Sequence, residues 1–243
     1  MEHAGKMGNE VIKAVDTLDN DKFKIICGFD KEEAENKFPI YNDIKNIKEK
    51  VDVIIDFSIP IATFKILEYA RQMKVPIVIA TTGFNKEELE KIEKYSKEIP
   101  VFRSANMSLD INLMANIIQK VAEVLKDSDI EIIETHHNRK VDSPSGTAIL
   151  LADAINKVFE EKKEYNFERM QKREKRNKNE IGFSSIRGGN IVGEHTVSFF
   201  GENEALEITH KAYSRQVFAE GALKAAEFIV KQKNGLYNME NIV

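Results

Sequence analysis

Strand-like runs alternate with helical patterns through the first hundred residues, and this alternation constrains the fold more than any other feature. Four runs are short, rich in β-branched residues and almost continuously apolar, as in strands buried on both faces: Phe23–Phe29, Val51–Ser58, Val75–Thr82 and Ile99–Ser104. Between them, Ala62, Ile66 and Ala70 repeat at helical spacing, and Asn85 precedes an acidic first turn as an N-cap would. The alternation predicts right-handed βαβ units and hence a doubly wound α/β domain.

The pattern changes after Ser108. A helix is predicted with one apolar face formed by Leu113, Ile117, Val121, Val124 and Leu125, followed by a strand over 129–137 and a second helix. From Ile181 apolar residues alternate with period two, which predicts an antiparallel or mixed sheet with one covered face. The segment 160–180 is almost wholly charged and is predicted to be a solvated loop or exposed helix, and an amphipathic helix closes the chain. Two domains are therefore expected.

The composition excludes several classes of protein. With 36 Lys and Arg against 40 Asp and Glu, the 243-residue chain has a net charge of −4, which argues against a nucleic-acid binder. Its apolar runs are far shorter than the roughly 20 residues that span a bilayer, and its N-terminus lacks the apolar segment of a signal peptide. A single cysteine, Cys27, forms no intramolecular disulfide, so we expect a cytoplasmic protein.

The N-terminal glycines indicate a phosphate-binding turn. Gly5 and Gly8 lead into a helical pattern, and a helix N-terminus offers N–H groups and a positive dipole end to a phosphate. Asp30 follows the next strand-like run, where a dinucleotide fold places the acid that binds a ribose. A full fingerprint needs a further glycine at the position of Glu2 and a strand before it, and both are missing here. From these residues alone, cofactor binding and an ordinary turn are equally favoured.

Two further loops follow predicted strands. The third strand is followed by Ala80–Thr82 and the fourth by Ser104–Met107. Ligands of open α/β sheets bind outside the carboxyl ends of the strands, so both loops are placed to line a crevice. For each loop taken alone, a simple turn of small residues is the favoured interpretation.

The segment from Glu134 to Ala148 holds the densest group of chemically active residues. Its first part ends a strand, so Glu134 and His136 lie on one face and His137 on the other. Either histidine titrates near neutrality when unperturbed and could donate a proton. A zinc site needs three or four ligands, and Cys27 is far away in sequence, so we predict no metal.

The second part of this segment predicts the start of a helix. Asp142 or Ser143 can cap it, with the following proline in its first turn. Gly146 and Thr147 then offer N–H groups at the positive end of the helix, and Lys140 adds a full charge. Together with the two histidines, this arrangement predicts an acid–base site for a carboxylated substrate.

The same segment resembles the signature E-x-H-H-x-x-K-x-D-[AS]-P-S-G-T-A of 4-hydroxy-tetrahydrodipicolinate reductase, an enzyme family of bacterial lysine and diaminopimelate synthesis. The resemblance extends to the motifs G-K-M-G, V-D-V-I-I-D-F-S, T-T-G-F, A-N-M-S, R-G-G-N-I-V-G-E-H and E-I-T-H-K-A. The chain departs from the family in two places. The family opens with a strand and a glycine three residues before Gly5, and it has G-T-T where this chain has Ala80-Thr81-Thr82.

The resemblance implies that the chain uses NADH or NADPH to reduce a small dicarboxylate, 4-hydroxy-tetrahydrodipicolinate, to tetrahydrodipicolinate with release of water. It implies His136 as the catalytic acid/base and Lys140 as a second proton donor, with His137, Gly146 and Thr147 binding the substrate carboxylates. The residues expected to line the nucleotide are Gly5, Lys6, Met7, Asp30, Lys31, Ala80, Thr81, Thr82, Ser104, Ala105, Asn106 and Met107.

The resemblance also implies the domain organisation. A Rossmann-like nucleotide domain, apparently without its first strand, is expected over 1–107 and 217–243, and an α+β domain for substrate binding and tetramerisation over 108–216. Family members are homotetramers whose central sheets pack together. Two alternatives stay open: a non-catalytic nucleotide- or metabolite-binding relative with an impaired N-terminus, and an unrelated hydride-transfer enzyme for a sugar or amino-acid aldehyde. The intact second domain disfavours both.

Overall fold

A computed structural model describes residues 6–17, 22–31, 37–169 and 173–243, with only the backbone at position 6. The chain divides into two units, Met1–Leu109 with Arg215–Val243, and Asp110–Ser214. Among the described residues, no helix is both long enough and apolar enough to cross a membrane.

The first unit is built around a parallel sheet. Numbered in chain order, its helices are α1 (Lys6–Thr17), α2 (Pro60–Met73), α3 (Lys86–Ser96) and α6 (Gln216–Ile229), with 3-10 turns at Ile44–Asn46 and Met239–Asn241. Its strands are β1 (Gly28–Phe29), β2 (Ile40–Tyr41), β3 (Ile54–Asp56), β4 (Ile77–Ile79), β5 (Pro100–Arg103) and β11 (Gly235–Tyr237). Four of them form a wholly parallel sheet in the order β11-β5-β4-β3, and β1 pairs with β2 in parallel separately.

Helices cover both faces of this parallel sheet. Ile77 and Val101 pack with α2 and α3 on one face. Val78 and Phe102 pack with α6 on the other. All four side chains are fully buried, because each strand is apolar on both sides. The predicted doubly wound α/β domain is confirmed.

Of two local predictions for this unit, the helix cap is confirmed and the first strand is mostly wrong. Asn85 caps α3 as expected: its side chain accepts a hydrogen bond from the Glu88 N–H at 2.9 Å, and the Glu88 carboxylate binds the Asn85 N–H in return. The strand predicted over Phe23–Phe29 is mostly wrong, since only Gly28–Phe29 pairs with another strand. In the described part of the chain, residues 23–27 have no neighbouring strand to complete the run.

A cavity of about 1080 Å³ lies beside those unpaired residues. One wall is the segment 23–29 and another is β3, which is the outermost strand of its sheet within the described ranges. The Ile54 N–H donates to the Pro76 carbonyl at 3.0 Å, so strand alternation directs the backbone polar groups of Ile55 away from β4. Ile54 and Ile55 are only half-buried despite their apolar character. Among the described residues, the side of β3 that faces away from β4 therefore borders this cavity.

The second unit is a mixed sheet covered on one face. It contains α4 (Leu109–Val124), which begins at the unit boundary, and α5 (Gly146–Asn156). Its strands are β6 (Asp129–His136), β7 (Glu164–Asn166), β8 (Glu180–Arg187), β9 (Gly193–Phe200) and β10 (Ala205–Ala212), in the order β10-β9-β6-β8-β7. β9 is antiparallel to both neighbours, whereas β6, β8 and β7 are parallel. The predicted mixed sheet is confirmed.

The period-two residues of this unit meet on one sheet face. Val197 lies opposite Ile208, and His195 lies opposite His210. Residues of α4 and α5 pack against this face and form the largest core cluster, which includes the fully buried Val197.

Two predictions in the second unit are wrong in part. α4 buries Ile111, Met114 and Ile118, whereas Leu113 and Ile117 of the predicted apolar face are 48% and 41% exposed. Val121 of that face is partly buried against the core. The helix carries two apolar stripes, and helical periodicity alone does not select between them.

The charged segment 160–180 is not simply solvated. It contributes β7 to the sheet and buries Lys163 and Glu180. Arg169 and Arg176 pair with Glu180 and with Glu131 of β6, so opposite charges compensate one another in the folded chain.

Candidate active site

The predicted acid–base site is centred on a buried carboxylate at the end of β6. Glu134 and His136 are 1% and 7% exposed and lie on the same face of the strand, as alternation requires. Glu134 Oε2 contacts His136 Nδ1 directly. His137 continues from the strand into a turn, where its N–H donates to the Ile191 carbonyl at 2.8 Å.

Arg187 at the end of β8 binds the same carboxylate with both terminal nitrogens. Its Nη1 lies 2.9 Å from Glu134 Oε2 and its Nη2 lies 2.7 Å from Oε1, a bidentate pair. The parallel pairing of β6 and β8 places the two residues on adjacent strands. Burial raises the pKa of the Glu134 carboxyl, but hydrogen bonds from His136 and Arg187 outweigh it and hold that pKa well below its usual range. Glu134 is therefore ionised.

The start of α5 lies against this pair, but its cap differs from the prediction. Ser145, and not Asp142 or Ser143, is the N-cap, and its side chain accepts a hydrogen bond from the Ala148 N–H at 3.2 Å. Pro144 consequently precedes the helix instead of lying in its first turn. The Ser145 N–H donates to Glu134 Oε1 at 3.3 Å.

Gly146 and Thr147 become the first two helical residues, as the anion-binding prediction requires. Lys140 reaches the same loop and pairs with Asp142 at 2.8 Å. Burial raises the pKa of the Asp142 carboxyl, but Lys140 more than compensates and lowers it. The Arg187 guanidinium also donates to the Asp142 carbonyl at 2.8 Å, so strand, loop and helix start are joined.

Sequence reasoning missed His195 of β9 as part of this group. Its Nε2 lies 3.0 Å from Ser145 Oγ, and its ring centroid lies 5.1 Å from that of His136. Its Nδ1 is buried without a hydrogen-bond partner in the described part of the structure. Burial, with a smaller contribution from His136, lowers the pKa of His195 to about 3, so the ring is neutral at physiological pH. The G-E-H motif was the available signal, but it does not reveal which strands become neighbours.

The predicted nucleotide loops lie side by side at one edge of the parallel sheet. The Ala80 N–H donates to the Asp56 carbonyl at 2.8 Å and the Ser104 N–H to the Ile79 carbonyl at 3.2 Å, which keeps the ends of β3, β4 and β5 in step. Thr82 and Ala105 are exposed there. The other predicted residues of these loops are buried or half-buried: Ala80, Thr81, Ser104, Asn106 and Met107.

The remaining nucleotide residues lie at the start of the first unit. Lys6 and Met7 begin α1, and the predicted Gly5 lies outside the described residues. Asp30 follows β1, is 6% exposed, and accepts the Lys31 N–H at 2.6 Å. Asp30 thus follows β1, and small residues follow the adjacent strands β4 and β5. This arrangement suits a dinucleotide that binds at the carboxyl ends of strands. Within the described ranges, no group of three or more His, Cys, Asp or Glu could hold a metal ion.

Comparison with known proteins decides the family. The model for the N-terminus of dihydrodipicolinate reductase matches residues 3–107, and the model for its C-terminus matches residues 110–243. The chain belongs to the dihydrodipicolinate reductase family. This membership confirms the expected NAD(P)H-dependent reductase and does not favour the non-catalytic alternative.

Similar proteins agree with this family over nearly their whole length. The 4-hydroxy-tetrahydrodipicolinate reductase of Caldanaerobacter subterraneus subsp. tengcongensis is 52% identical over 239 residues, covering 98% of this chain and 94% of that protein. The Clostridium novyi enzyme of the same name is 46% identical, with 99% and 95% covered. A solved structure of dipicolinate-bound dihydrodipicolinate reductase from Paenisporosarcina sp. TG-14 superposes with a TM-score of 0.79 at 26% identity, covering 98% and 96% of the two chains.

Proposed function

We propose that the chain reduces 4-hydroxy-tetrahydrodipicolinate to tetrahydrodipicolinate with NADH or NADPH, and that His136 and Lys140 move the protons. One observation carries these roles. The buried Glu134 carboxylate binds His136 Nδ1 and the Ser145 N–H together, so an acid–base group is held beside a helix start suited to an anion.

The substrate carboxylates would bind at the start of α5. The N–H groups of Gly146 and Thr147, the Thr147 hydroxyl and the His137 ring are the proposed ligands, with Lys140 contributing charge. His136 would exchange a proton with the substrate through the ring nitrogen that Glu134 does not bind, and Lys140 would supply a second proton. The strand ends of the first unit would hold the nicotinamide cofactor, whose chemistry when bound is hydride transfer.

We further propose the domain roles and an assembly. Residues 1–107 with 217–243 would bind the nucleotide, and residues 108–216 would bind the substrate and form a cytoplasmic homotetramer. The support is an apolar group on the sheet face opposite the core, where Ile133, Ile186 and Phe200 are 37%, 51% and 41% exposed. Analytical ultracentrifugation tests this proposal: Ile186→Glu is expected to yield smaller species, and an unchanged tetramer would exclude that face.

A coupled assay tests the reaction. Aspartate semialdehyde and pyruvate are condensed by the preceding synthase, and oxidation of NADH and NADPH is followed separately on addition of this protein. His136→Gln is expected to lower turnover about 10²–10⁴-fold while nucleotide binding is retained, because a positioned acid–base group contributes that much. Near wild-type turnover in this variant would remove His136 from the mechanism, and NADH binding without turnover in the unaltered protein would favour a binding protein.

A further inference from the structure

We propose that Glu134 and Arg187 are positioning residues that hold His136 in the Nδ1–H tautomer and leave its Nε2 to exchange protons with the substrate. This inference rests on the proposed role of His136, to which it adds the tautomer and the residues that set it. Its first support is geometric: the Glu134 carboxylate contacts Nδ1 and no other ring nitrogen of His136. An ionised carboxylate only accepts hydrogen bonds, so Nδ1 must carry the proton in this contact.

A glycine leaves the opposite ring nitrogen uncrowded. Gly193 begins β9 next to the end of β6, and a Cβ atom placed on it would lie 3.0 Å from His136 Nε2. That distance is tighter than almost all natural Cβ contacts, so a side chain at this position would crowd the atom. The backbone at Gly193 is not in the left-handed region, so space and not conformation explains the glycine.

Charge explains why Arg187 belongs to the arrangement. A buried carboxylate near the start of α5 would by itself repel an anionic substrate. Both terminal nitrogens of Arg187 lie within 2.9 Å of Glu134 oxygens, so the pair is neutral overall. Arg187 also donates to the Asp142 carbonyl, and Asp142 pairs with Lys140, so the position of the carboxylate is tied to the loop that carries the second proton donor.

The charged and titratable groups around the Glu134–His136 pair come from four parts of the second unit. They are Glu134 on β6, Arg187 on β8, His195 on β9, and Lys140 with Asp142 in the loop before α5. His195 is neutral above about pH 3. In the neutral range two carboxylates, Glu134 and Asp142, are therefore opposed by two cations, Arg187 and Lys140.

The tautomer can be measured without any reaction. The full-length protein is labelled with 15N-histidine, and long-range 1H–15N spectra are recorded over a pH series, with His136→Gln identifying the signals of that ring. We expect a protonated Nδ1 and an unprotonated Nε2 in the neutral form. A protonated Nε2 would overturn the proposal even if the protein were an active reductase. The expected tautomer with full turnover in His136→Gln would instead refute the proposed catalytic role.

Two variants should change the tautomer of His136 to different extents. Glu134→Gln replaces the carboxylate with an amide that can donate as well as accept, so its spectra should show both the Nδ1–H and the Nε2–H forms. Arg187→Met leaves the carboxylate in place but frees it from the guanidinium, so the Nδ1–H form should decrease less. A purely structural role predicts no change of tautomer in either variant. An unchanged tautomer in Glu134→Gln contradicts the proposal, and this holds even if Arg187→Met fails to fold.

Steady-state kinetics should distinguish the role of Glu134 from that of Arg187. Glu134→Gln should lower kcat about 10- to 100-fold, as loss of a partner that orients an active group typically does, with little change in KM. Arg187→Met should mainly raise KM because it leaves an unbalanced negative charge near the anion site. Glu131→Gln is the matched control, since Glu131 also lies on β6 and is bound by arginines but contacts neither histidine in the described structure. A control as impaired as Glu134→Gln would show a general effect on the sheet.

Discussion

Replacing His195 should change how the stability of the protein depends on pH. The folded-state pKa of this histidine is lowered to about 3 by burial and by His136, whereas an unfolded histidine titrates near ~6.5. Between these values the unfolded chain binds a proton that the folded chain does not. The histidine therefore costs no stability above the unfolded pKa, and it destabilises the fold progressively as pH falls from about 6.5 towards 3.

The magnitude follows from the linkage between protonation and folding. Each pH unit below ~6.5 costs about 1.4 kcal/mol, so lowering the pH from 7 to 5 should cost roughly 2 kcal/mol through this residue. His195→Asn cannot bind that proton. At pH 7 the variant should be less stable than the wild type by about 1 kcal/mol, because the contact with Ser145 Oγ is lost. By pH 5 this order should be reversed.

Urea unfolding followed by far-UV circular dichroism measures the effect, since the chain has no tryptophan. Other groups titrate in both proteins and largely cancel in the difference. Ser145→Ala serves as the control: it loses the same contact and the helix cap but no titrating group, so its deficit of about 1–2 kcal/mol should be equal at both pH values. A stability difference between His195→Asn and wild type that does not change from pH 7 to pH 5 would refute the reasoning.

Three further predictions concern ligands. Lys140→Ala and Thr147→Val should both raise KM for the substrate and weaken competitive inhibition by pyridine-2,6-dicarboxylate, with kcat also lower for Lys140→Ala; unchanged inhibition constants would place the anion site elsewhere. NADH should be moderately preferred over NADPH in direct titrations, with Asp30→Ala eroding this preference and Lys31→Ala chiefly weakening NADPH; NADPH binding more than about tenfold tighter would contradict the role of Asp30. Glu2→Gly supplies the further glycine of the dinucleotide fingerprint and should tighten both cofactors in calorimetry, and unchanged affinity would contradict a phosphate-binding role for this turn.

Much of the fold was predictable because its signals are local. Runs apolar on both faces indicated β3, β4 and β5, and Asn85 with Glu88 indicated the start of α3. The buried face of α4 was not predictable, because its two apolar stripes are alike in sequence and only packing against the sheet distinguishes them. The segment 23–29 was predicted as a strand from its composition, but a strand also needs a neighbour to pair with.

The candidate site was likewise predictable where its residues are close together in sequence, and not where strand pairing brings them together. His136, Lys140, Gly146 and Thr147 stand within one short segment, so their cooperation was visible in the sequence. Arg187 is separated from Glu134 by 53 residues and reaches it only through the pairing of β6 with β8. His195 likewise reaches Ser145 across 50 residues. Such partners depend on strand order and register, which the periodicity of one strand does not specify.

The open side of β3 has a consequence for the behaviour of the protein at high concentration. Among the residues that the structure describes, no strand pairs with that side of β3, and such an edge is a template on which a second molecule can add its own strand, which is how edge-to-edge aggregation begins. Among the described residues that line this cavity, lysines outnumber acids, with Lys22, Lys24, Lys74 and Lys231 against Asp52 and Glu227. Two such rims repel each other in dilute buffer. Added salt screens that repulsion, so concentrated protein should aggregate more readily as ionic strength rises.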